Sequence, residues 1–317
     1  MKVLVNDGIE ESGKKIMEEA GIFVDTNSVS QEKLSEVLPQ YDAICVRSNT
    51  KVRKDLIDLC PNLKAIGRGG VGLDNIDVEY AKSKGIAVIN TPAASSRSVA
   101  ELVFAHALSV SRFLHMAHKE MPVSGHDQFS TLKKNYAAGF EMTGKTMGVF
   151  GLGKIGQELV SIALGFGMDV LAYDPFVPSV DIQIGSPSLG MKHQIISTNK
   201  LAVLRNSDYI SLHIPALDTP ILDEEAFAIM KEGVIIINAS RGESVDEEAL
   251  LKYLDNGKIA MAGLDVFMGE PKPDERLLHH PKISTSPHIG ASTLEAQNKI
   301  GIELGKKMVA ALLNKKG

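Results

Sequence analysis

Three polar residues stand just beyond short apolar runs in the second half of this chain: Arg241 in Asn238-Ala-Ser-Arg-Gly, Glu270 in Gly269-Glu-Pro, and His288 in Ser286-Pro-His-Ile-Gly. Singly, each has an ordinary reading: a surface ion pair, a turn acid before proline, a turn histidine. Together they suit one chemistry. A histidine, with an unperturbed pKa of about 6.5, can take a proton from a hydroxyl at neutral pH. A carboxylate beside it stabilises the imidazolium and holds the ring in one tautomer. An arginine grips carboxylate and carbonyl oxygens with a planar fork that lysine lacks. These are the groups that an enzyme drawing hydride from an alcohol carbon needs.

The acceptor for such a hydride is indicated upstream. Met147 to Phe150 read as a short buried strand, and Gly151, Gly153 and Gly156 then form G-x-G-x-x-G. Gln157 to Leu164 continue with helical spacing, and a second apolar run, Val170 to Tyr173, ends in Asp174. Gly151 permits the tight turn, Gly153 lets a pyrophosphate approach the backbone, and Gly156 lets helix and strand pack closely. The helix N-terminus, where Lys154 and Ile155 lie, offers free N–H groups and a positive dipole to phosphates. Asp174 would accept hydrogen bonds from ribose hydroxyls and repel a 2′-phosphate. Glycine-rich turns are common, but strand, glycines, helix and acid in this order predict a dinucleotide site, with NAD as the cofactor.

These residues require a sheet to hold them. Strands are predicted at Lys2–Asn6, Phe23–Asp25, Asp42–Val46, Leu63–Ile66 and Ile86–Ile89, with helices between them at 13–20, 31–38, 55–59 and 78–83. A long, largely apolar helix is predicted from Ser98 to about His118, then a loop from Gly125 to Met142. After an unassigned polar stretch from 177 to 197, strands follow at 209–215, 234–237, 259–264 and 283–284. Helices are expected at 224–230 and 243–255, the latter with Ser244 as cap, and at 294–313. Alternating strands and helices predict parallel sheets covered on both faces. The fold class expected is α/β, with two doubly wound parallel-sheet domains. A Rossmann-type nucleotide domain, 95–287, is inserted into a discontinuous flavodoxin-like substrate domain, 1–94 plus 288–317.

Ligands bind such sheets at the carboxyl ends of strands. The loop Arg47-Ser-Asn-Thr-Lys51 leaves one such end, and Gly67-Arg-Gly-Gly-Val71 leaves the next. Two cations and two hydroxyls in five residues suit a phosphate or a second carboxylate. Arg47, Ser48 and Lys51 are therefore candidate substrate contacts, with Gly70 and Val71 offering N–H groups to a carboxylate.

With 317 residues and a net charge of −5, the chain has ample core and no basic stripe, so a nucleic-acid partner is not expected. No apolar run approaches a membrane span, and Met1 leads straight into a strand pattern, so neither membrane nor secretion is expected. Cys45 and Cys60 read as buried free thiols of a cytoplasmic protein. His115 and His118 have metal-like helical spacing, but no acid or cysteine clusters with them or with His106, so packed imidazoles are expected and metal is not.

The succession Gly-x-Gly-x-x-Gly, Asn-Ala-Ser-Arg-Gly, Gly-Leu-Asp-Val-Phe-x-x-Glu-Pro and Ser-Pro-His-Ile-Gly-Ala-Ser-Thr resembles the D-isomer-specific 2-hydroxyacid dehydrogenases along essentially the whole chain. That resemblance implies NAD-linked interconversion of a 2-hydroxy and a 2-oxo acid. It implies Arg241 as substrate clamp, His288 as acid/base and Glu270 as its partner. It also sets His213, Pro215, Ala239, Asp265 and Gly290 against the cofactor, and implies a homodimer built on the 98–118 region. Arg47-Ser-Asn-Thr-Lys-Val and Gly67-Arg-Gly-Gly-Val-Gly-Leu-Asp-Asn-Ile-Asp resemble the D-3-phosphoglycerate dehydrogenases, which open the phosphorylated route to serine. Asn49 departs from the alanine frequent there, the segment from Asp174 to Asp208 is longer than usual, and no regulatory domain is expected after the last helix. Two alternatives stay open: an unphosphorylated substrate such as glyoxylate, hydroxypyruvate or lactate, and a non-catalytic NAD-binding corepressor.

Overall fold

Val234-Ile-Ile-Ile-Asn238 is buried at every residue, as a strand must be when helices cover both faces of a parallel sheet. Runs of this kind set the architecture. The computed structural model describes residues 1–313 other than Pro187 and Leu189. The chain divides into two units, Met1–Ser96 with the chain from Ala291 onward, and Arg97–Gly290. The second division falls after Gly290 because the turn carrying His288 is hydrogen-bonded to Asp265 within the second unit.

The first unit contains β1 (Lys2–Val5), α1 (Glu11–Glu19), β2 (Phe23–Asp25), α2 (Leu34–Val37), β3 (Ala43–Val46), α3 (Lys54–Asp58), β4 (Ala65–Arg68), α4 (Val78–Ser83) and β5 (Ala87–Asn90). Its strands pair in parallel in the order β2-β1-β3-β4-β5, the flavodoxin-like doubly wound arrangement. β4 begins later than its apolar run suggests, because Leu63 closes a turn on the Cys60 carbonyl at 3.0 Å.

The chain then runs through α5 (Ser96–Ser111), α6 (Leu114–Asn135), β6 (Thr146–Phe150), α7 (Lys154–Gly165), β7 (Asp169–Tyr173), β8 (Ser179–Gln183), β9 (Lys192–Ile196) and α8 (Lys200–Asn206). It continues with β10 (Tyr209–Leu212), α9 (Glu224–Ile229), β11 (Val234–Asn238), α10 (Glu247–Asp255), β12 (Ile259–Leu264), α11 (Glu275–His279) and β13 (Ile283–Thr285). The parallel sheet has the order β13-β12-β11-β10-β6-β7. Strand order reverses between β6 and β10, which defines the switch point where doubly wound sheets bind ligands.

The last helix, α12 (Leu294–Leu313), belongs to the first unit. Three glycines allow α1 and α12 to touch backbone to backbone. A Cβ on Gly13 would lie 2.3 Å from the Gly301 carbonyl oxygen, and one on Gly305 would lie 2.6 Å from that of Gly13. Leu304, Met308 and Leu312 then join Val3, Val5, Met17, Cys45 and Ala65 in one buried cluster.

Three local expectations are corrected, and one unassigned stretch takes a form. The single helix from Ser98 is broken at Phe113, whose backbone is left-handed (φ 56°), a conformation a helix cannot continue through. The loop predicted from Gly125 is instead the second half of α6. That helix tolerates Pro122, kinks at Gln128, and is anchored by buried Gly125 and Leu132. The unassigned stretch forms an antiparallel hairpin of β8 and β9, with Pro187 and Leu189 outside the described residues. Finally, α10 is capped by Asp246, which accepts from Ala249 N–H at 3.0 Å, whereas the Ser244 hydroxyl is buried within the preceding 3₁₀ turn. Among the described residues no helix is long and apolar enough to cross a membrane.

Candidate active site

The glycine turn occupies the switch point. Gly151 is left-handed (φ 96°), and a Cβ there would lie 2.3 Å from the His213 carbonyl oxygen at the end of β10. A Cβ on Gly156 would lie 1.9 Å from the Gly151 carbonyl oxygen. Both glycines are required by close backbone approach. Gly153 differs: it caps α7 in an extended conformation, and a Cβ there would meet no atom within 4 Å. Protein atoms therefore leave open the place where a pyrophosphate would lie, in front of the first N–H groups of a 12-residue helix.

Two further features fit a dinucleotide. Asp174, at the end of β7, accepts from the N–H of Leu152 at 2.7 Å and from those of Phe176 and Val177 at 2.8 and 3.1 Å. Three of its roughly four acceptor positions are used, so one remains for a ribose hydroxyl. His213 bonds Ser211 Oγ through Nε2 at 2.9 Å, while Nδ1 is buried with no partner among the described residues. Burial pushes this imidazole down to about 3, so the ring is neutral. Lys154 and Ile155 begin α7, exposed Pro215 follows His213, and partly buried Ala239 follows β11.

Three strands of the same sheet, β11, β12 and β13, deliver Arg241, Glu270 and His288 just past their carboxyl ends. His288 Nδ1 lies 2.8 Å from Glu270 Oε2. A carboxylate only accepts, so Nδ1 carries a proton, and in the neutral ring Nε2 is the nitrogen with the lone pair. The other carboxylate oxygen of Glu270 accepts from Phe267 N–H at 3.0 Å, which fixes its plane. Glu270 and His288 also line a pocket of about 460 Å³ with Phe267, Pro271, Leu278 and Pro287.

The backbone of His288 is left-handed (φ 54°), a conformation that costs a non-glycine residue about 1–2 kcal/mol. Asp265 holds it there. The Asp265 carbonyl accepts from His288 N–H at 2.8 Å, and its buried carboxylate accepts from Ile289 and Gly290 N–H, both at 2.8 Å. Arg241 donates through Nη1 to the Ser240 carbonyl at 2.7 Å. Gly242, next to it, packs so closely that a Cβ would lie 2.1 Å from the Phe267 carbonyl carbon. The turn bearing Arg241 thus lies directly against the loop that bears Glu270.

In the first unit, the loop after β3 is pinned from beneath. Asp7 accepts from Arg47 N–H at 2.7 Å, Thr50 N–H at 3.1 Å and the Thr50 hydroxyl at 2.6 Å. Asn75 adds bonds to the carbonyls of Arg47 and Thr50, at 2.7 and 2.6 Å. The Thr50 hydroxyl is therefore spoken for and buried, while Ser48 and Lys51 are exposed. Arg47 donates to Gln297 of α12. Gly70 is a correction too. Its N–H donates to the Arg68 carbonyl at 3.0 Å, and the Arg68 guanidinium fills the space a Cβ would need, so only Val71 is left to present an N–H. Sequence reading missed Asp7, Asn75 and Gln297, because each acts on residues distant in the chain and carries no local signature.

His106 of α5 and His115 of α6 have structural partners. His106 lies between Ser284 and Ser286, and His115 bonds the Pro281 carbonyl at 3.0 Å. No group of three or more histidine, cysteine or acidic side chains that could hold a metal occurs among the described residues.

A family model described as D-isomer specific 2-hydroxyacid dehydrogenase, NAD binding domain, matches residues 104–290. The chain is 41% identical over 317 residues to a hydroxypyruvate reductase of Thermotoga maritima, covering 98% of each. It is 40% identical over 316 residues to a D-3-phosphoglycerate dehydrogenase of Methanocaldococcus jannaschii, of whose length it spans 57%. A solved glyoxylate reductase from Paecilomyes thermophila is similar with a TM-score of 0.83 at 27% identity, over 99% of this chain and 95% of that one. The chain belongs to the D-isomer-specific 2-hydroxyacid dehydrogenases. It is an oxidoreductase with an NAD-binding domain, and it acts on a small molecule.

Proposed function

We propose that this enzyme oxidises D-3-phosphoglycerate to 3-phosphohydroxypyruvate, the step that opens the phosphorylated route to serine, in the cytoplasm. The observation that carries this is charge left uncompensated at the end of β3. Neighbouring cations on this unit have carboxylate partners, Arg53 with Asp77 and Lys64 with Asp42. Arg47 has only the neutral amide of Gln297, and Lys51 has no ion pair among the described residues. Two such cations with exposed Ser48 between them suit a phosphate, whose oxygens take charge-assisted hydrogen bonds.

In this reading Arg241 grips the substrate carboxylate and C2 oxygen, and Val71 N–H adds to the carboxylate. His288 Nε2 takes the C2 hydroxyl proton as the carbonyl forms, and Glu270 holds the resulting imidazolium by its Nδ1–H. NAD, when bound, accepts the hydride from C2. The Glu270 contact selects the tautomer in which Nε2, facing the substrate hydroxyl in this reading, is the basic nitrogen of the neutral ring. The homodimer we assign to the 98–118 region and its continuation, where Leu108, Leu114, Met121, Val123 and Phe129 are exposed.

A second reading, reduction of hydroxypyruvate or glyoxylate, is favoured by two observations. The hydroxypyruvate reductase match covers 98% of both chains, and the Thr50 hydroxyl is already committed to Asp7. One experiment separates the two. Arg47→Ala should raise KM for 3-phosphoglycerate by about 10- to 100-fold, the loss of one charged hydrogen bond, and leave glyoxylate reduction nearly unchanged. Equal losses on both substrates would remove the phosphate reading.

A further inference from the structure

Behind the turn that carries His288 lies a buried imidazole. His106 of α5 is 5% exposed, with Nδ1 2.9 Å from Ser284 Oγ and Nε2 2.8 Å from Ser286 Oγ. Gly263 of β12 makes room for it, since a Cβ there would fall 2.6 Å from His106 Cβ. The proton positions in this group follow from one residue. Ser286 Oγ donates to Asp265 Oδ1 at 2.6 Å, so towards His106 it can only accept. Nε2 therefore carries the ring proton, and Nδ1 accepts from the Ser284 hydroxyl. Burial disfavours the charged imidazolium, which agrees with a neutral ring of fixed tautomer.

Asp265 is also the residue on which the His288 turn hangs, through its own carbonyl and both carboxylate oxygens. His106 thus donates to Ser286 and Ser286 to Asp265, and Asp265 in turn accepts from the backbone N–H groups of residues 288–290. We infer that His106 is a positioning residue: by donating to Ser286 it orients the Asp265 carboxylate, and so the turn that aims the His288 ring. The inference rests on the acid/base reading of His288. A His106 that merely filled space would depend on its volume, whereas this one depends on a donor at Nε2.

Substitutions at His106 separate donor from volume. Glutamine sets its amide nitrogen where Nε2 stands, asparagine sets it near Nδ1, and leucine has no donor. With hydroxypyruvate and NADH as probes, His106→Leu and His106→Asn should lower kcat about 10- to 100-fold, as small misplacements of a reacting group do. Cofactor affinity, read from NADH fluorescence, should stay close to that of the parent, and His106→Gln should restore most of kcat. Ser286→Ala should lose as much as His106→Leu, and combining them should add little, as for residues acting as one unit. Equal kcat for the Gln, Asn and Leu variants, or a loss confined to cofactor affinity, would overturn the inference. Should the His106 variants fail to fold, Ser286→Ala decides, and undiminished kcat there would equally overturn it. His288→Ala is the control: turnover retained in that variant would instead sink the acid/base reading.

Discussion

Asp174 reaches back across the glycine turn to accept the N–H of Leu152 at 2.7 Å. The acid expected to face a ribose therefore also fastens the turn that faces the pyrophosphate. Removing it has two effects, and two substitutions separate them. Asp174→Asn keeps an acceptor for Leu152 but loses the charge that repels a 2′-phosphate, so the preference for NAD over NADP should shrink while NAD still binds. Asp174→Ala should lose both, with NAD affinity falling by about 1.5–3 kcal/mol for a hydrogen bond to a charged group, roughly ten- to a hundredfold. Measured dissociation constants for NAD and NADP check this. A wild-type enzyme that uses NADP equally well would refute the role given to Asp174.

Glu270→Gln should be more harmful than the loss of one charge. The amide oxygen will keep the bond from Phe267 N–H, which turns the NH₂ group towards His288. Nδ1 must then accept, the proton moves to Nε2, and the base is occupied. Carboxylate-to-amide exchange beside a catalytic histidine has cost about 10⁴-fold in turnover elsewhere, and His288→Ala should cost about 10²–10⁴-fold. Both variants should bind NAD nearly as tightly as the parent. Stopped-flow rates for Glu270→Gln matching the parent would show that this carboxylate does not set the tautomer.

The two thiols offer a test by pH. Burial raises Cys45 to about 12 and Cys60 to about 11, above the ordinary thiol range. Their protonated forms are thus favoured by folding, a contribution present below the unfolded-state value and lost as pH rises through that value and towards the native ones. Neither should react with a disulfide reagent at pH 8 in the native protein, and both should react in denaturant. Rapid native-state labelling of Cys45 would contradict its burial in the cluster under α12.

Gly13→Ala probes the docking of the last helix. The new Cβ would fall 2.3 Å from the Gly301 carbonyl oxygen, and because backbone stands in the way, α1 and α12 must move apart. Overpacking of this kind costs about 1–3 kcal/mol. A lowered thermal midpoint, with the loss greater than for Gly21→Ala at a position where no atom lies within 4 Å, is expected. An equal effect at both sites would mean that the close approach contributes nothing beyond the left-handed strain at Gly21.

The sequence made the nucleotide turn and the three strand-end residues legible because each signal is local. Glycines at fixed offsets, apolar runs and the residue following each run all sit within a short window. The supports of the site are not local. His106 and Ser284 are 178 positions apart, and nothing near either marks the pairing. The Thr50 hydroxyl of the substrate loop was misjudged for the same reason: it looked available until Asp7, 43 positions earlier, proved to hold it. The extension of α6 was hidden by Pro122 and Gly125, breakers by local rule that this helix nonetheless contains.

The embrace of α1 by α12 has a consequence for synthesis. The first five strands leave the ribosome early, yet the cluster that contains Val3, Val5, Cys45 and Ala65 is closed by Leu304, Met308 and Leu312. A growing chain must therefore leave part of one face of its first sheet uncovered, with Met17 and Ile22 but not α12 against it, while the whole intervening unit is made. Domains ordinarily fold in the order of their synthesis, but here one unit is begun before the other and completed only after it. Chaperones that shield apolar sheet faces have their longest opportunity on this nascent chain before residue 294 emerges.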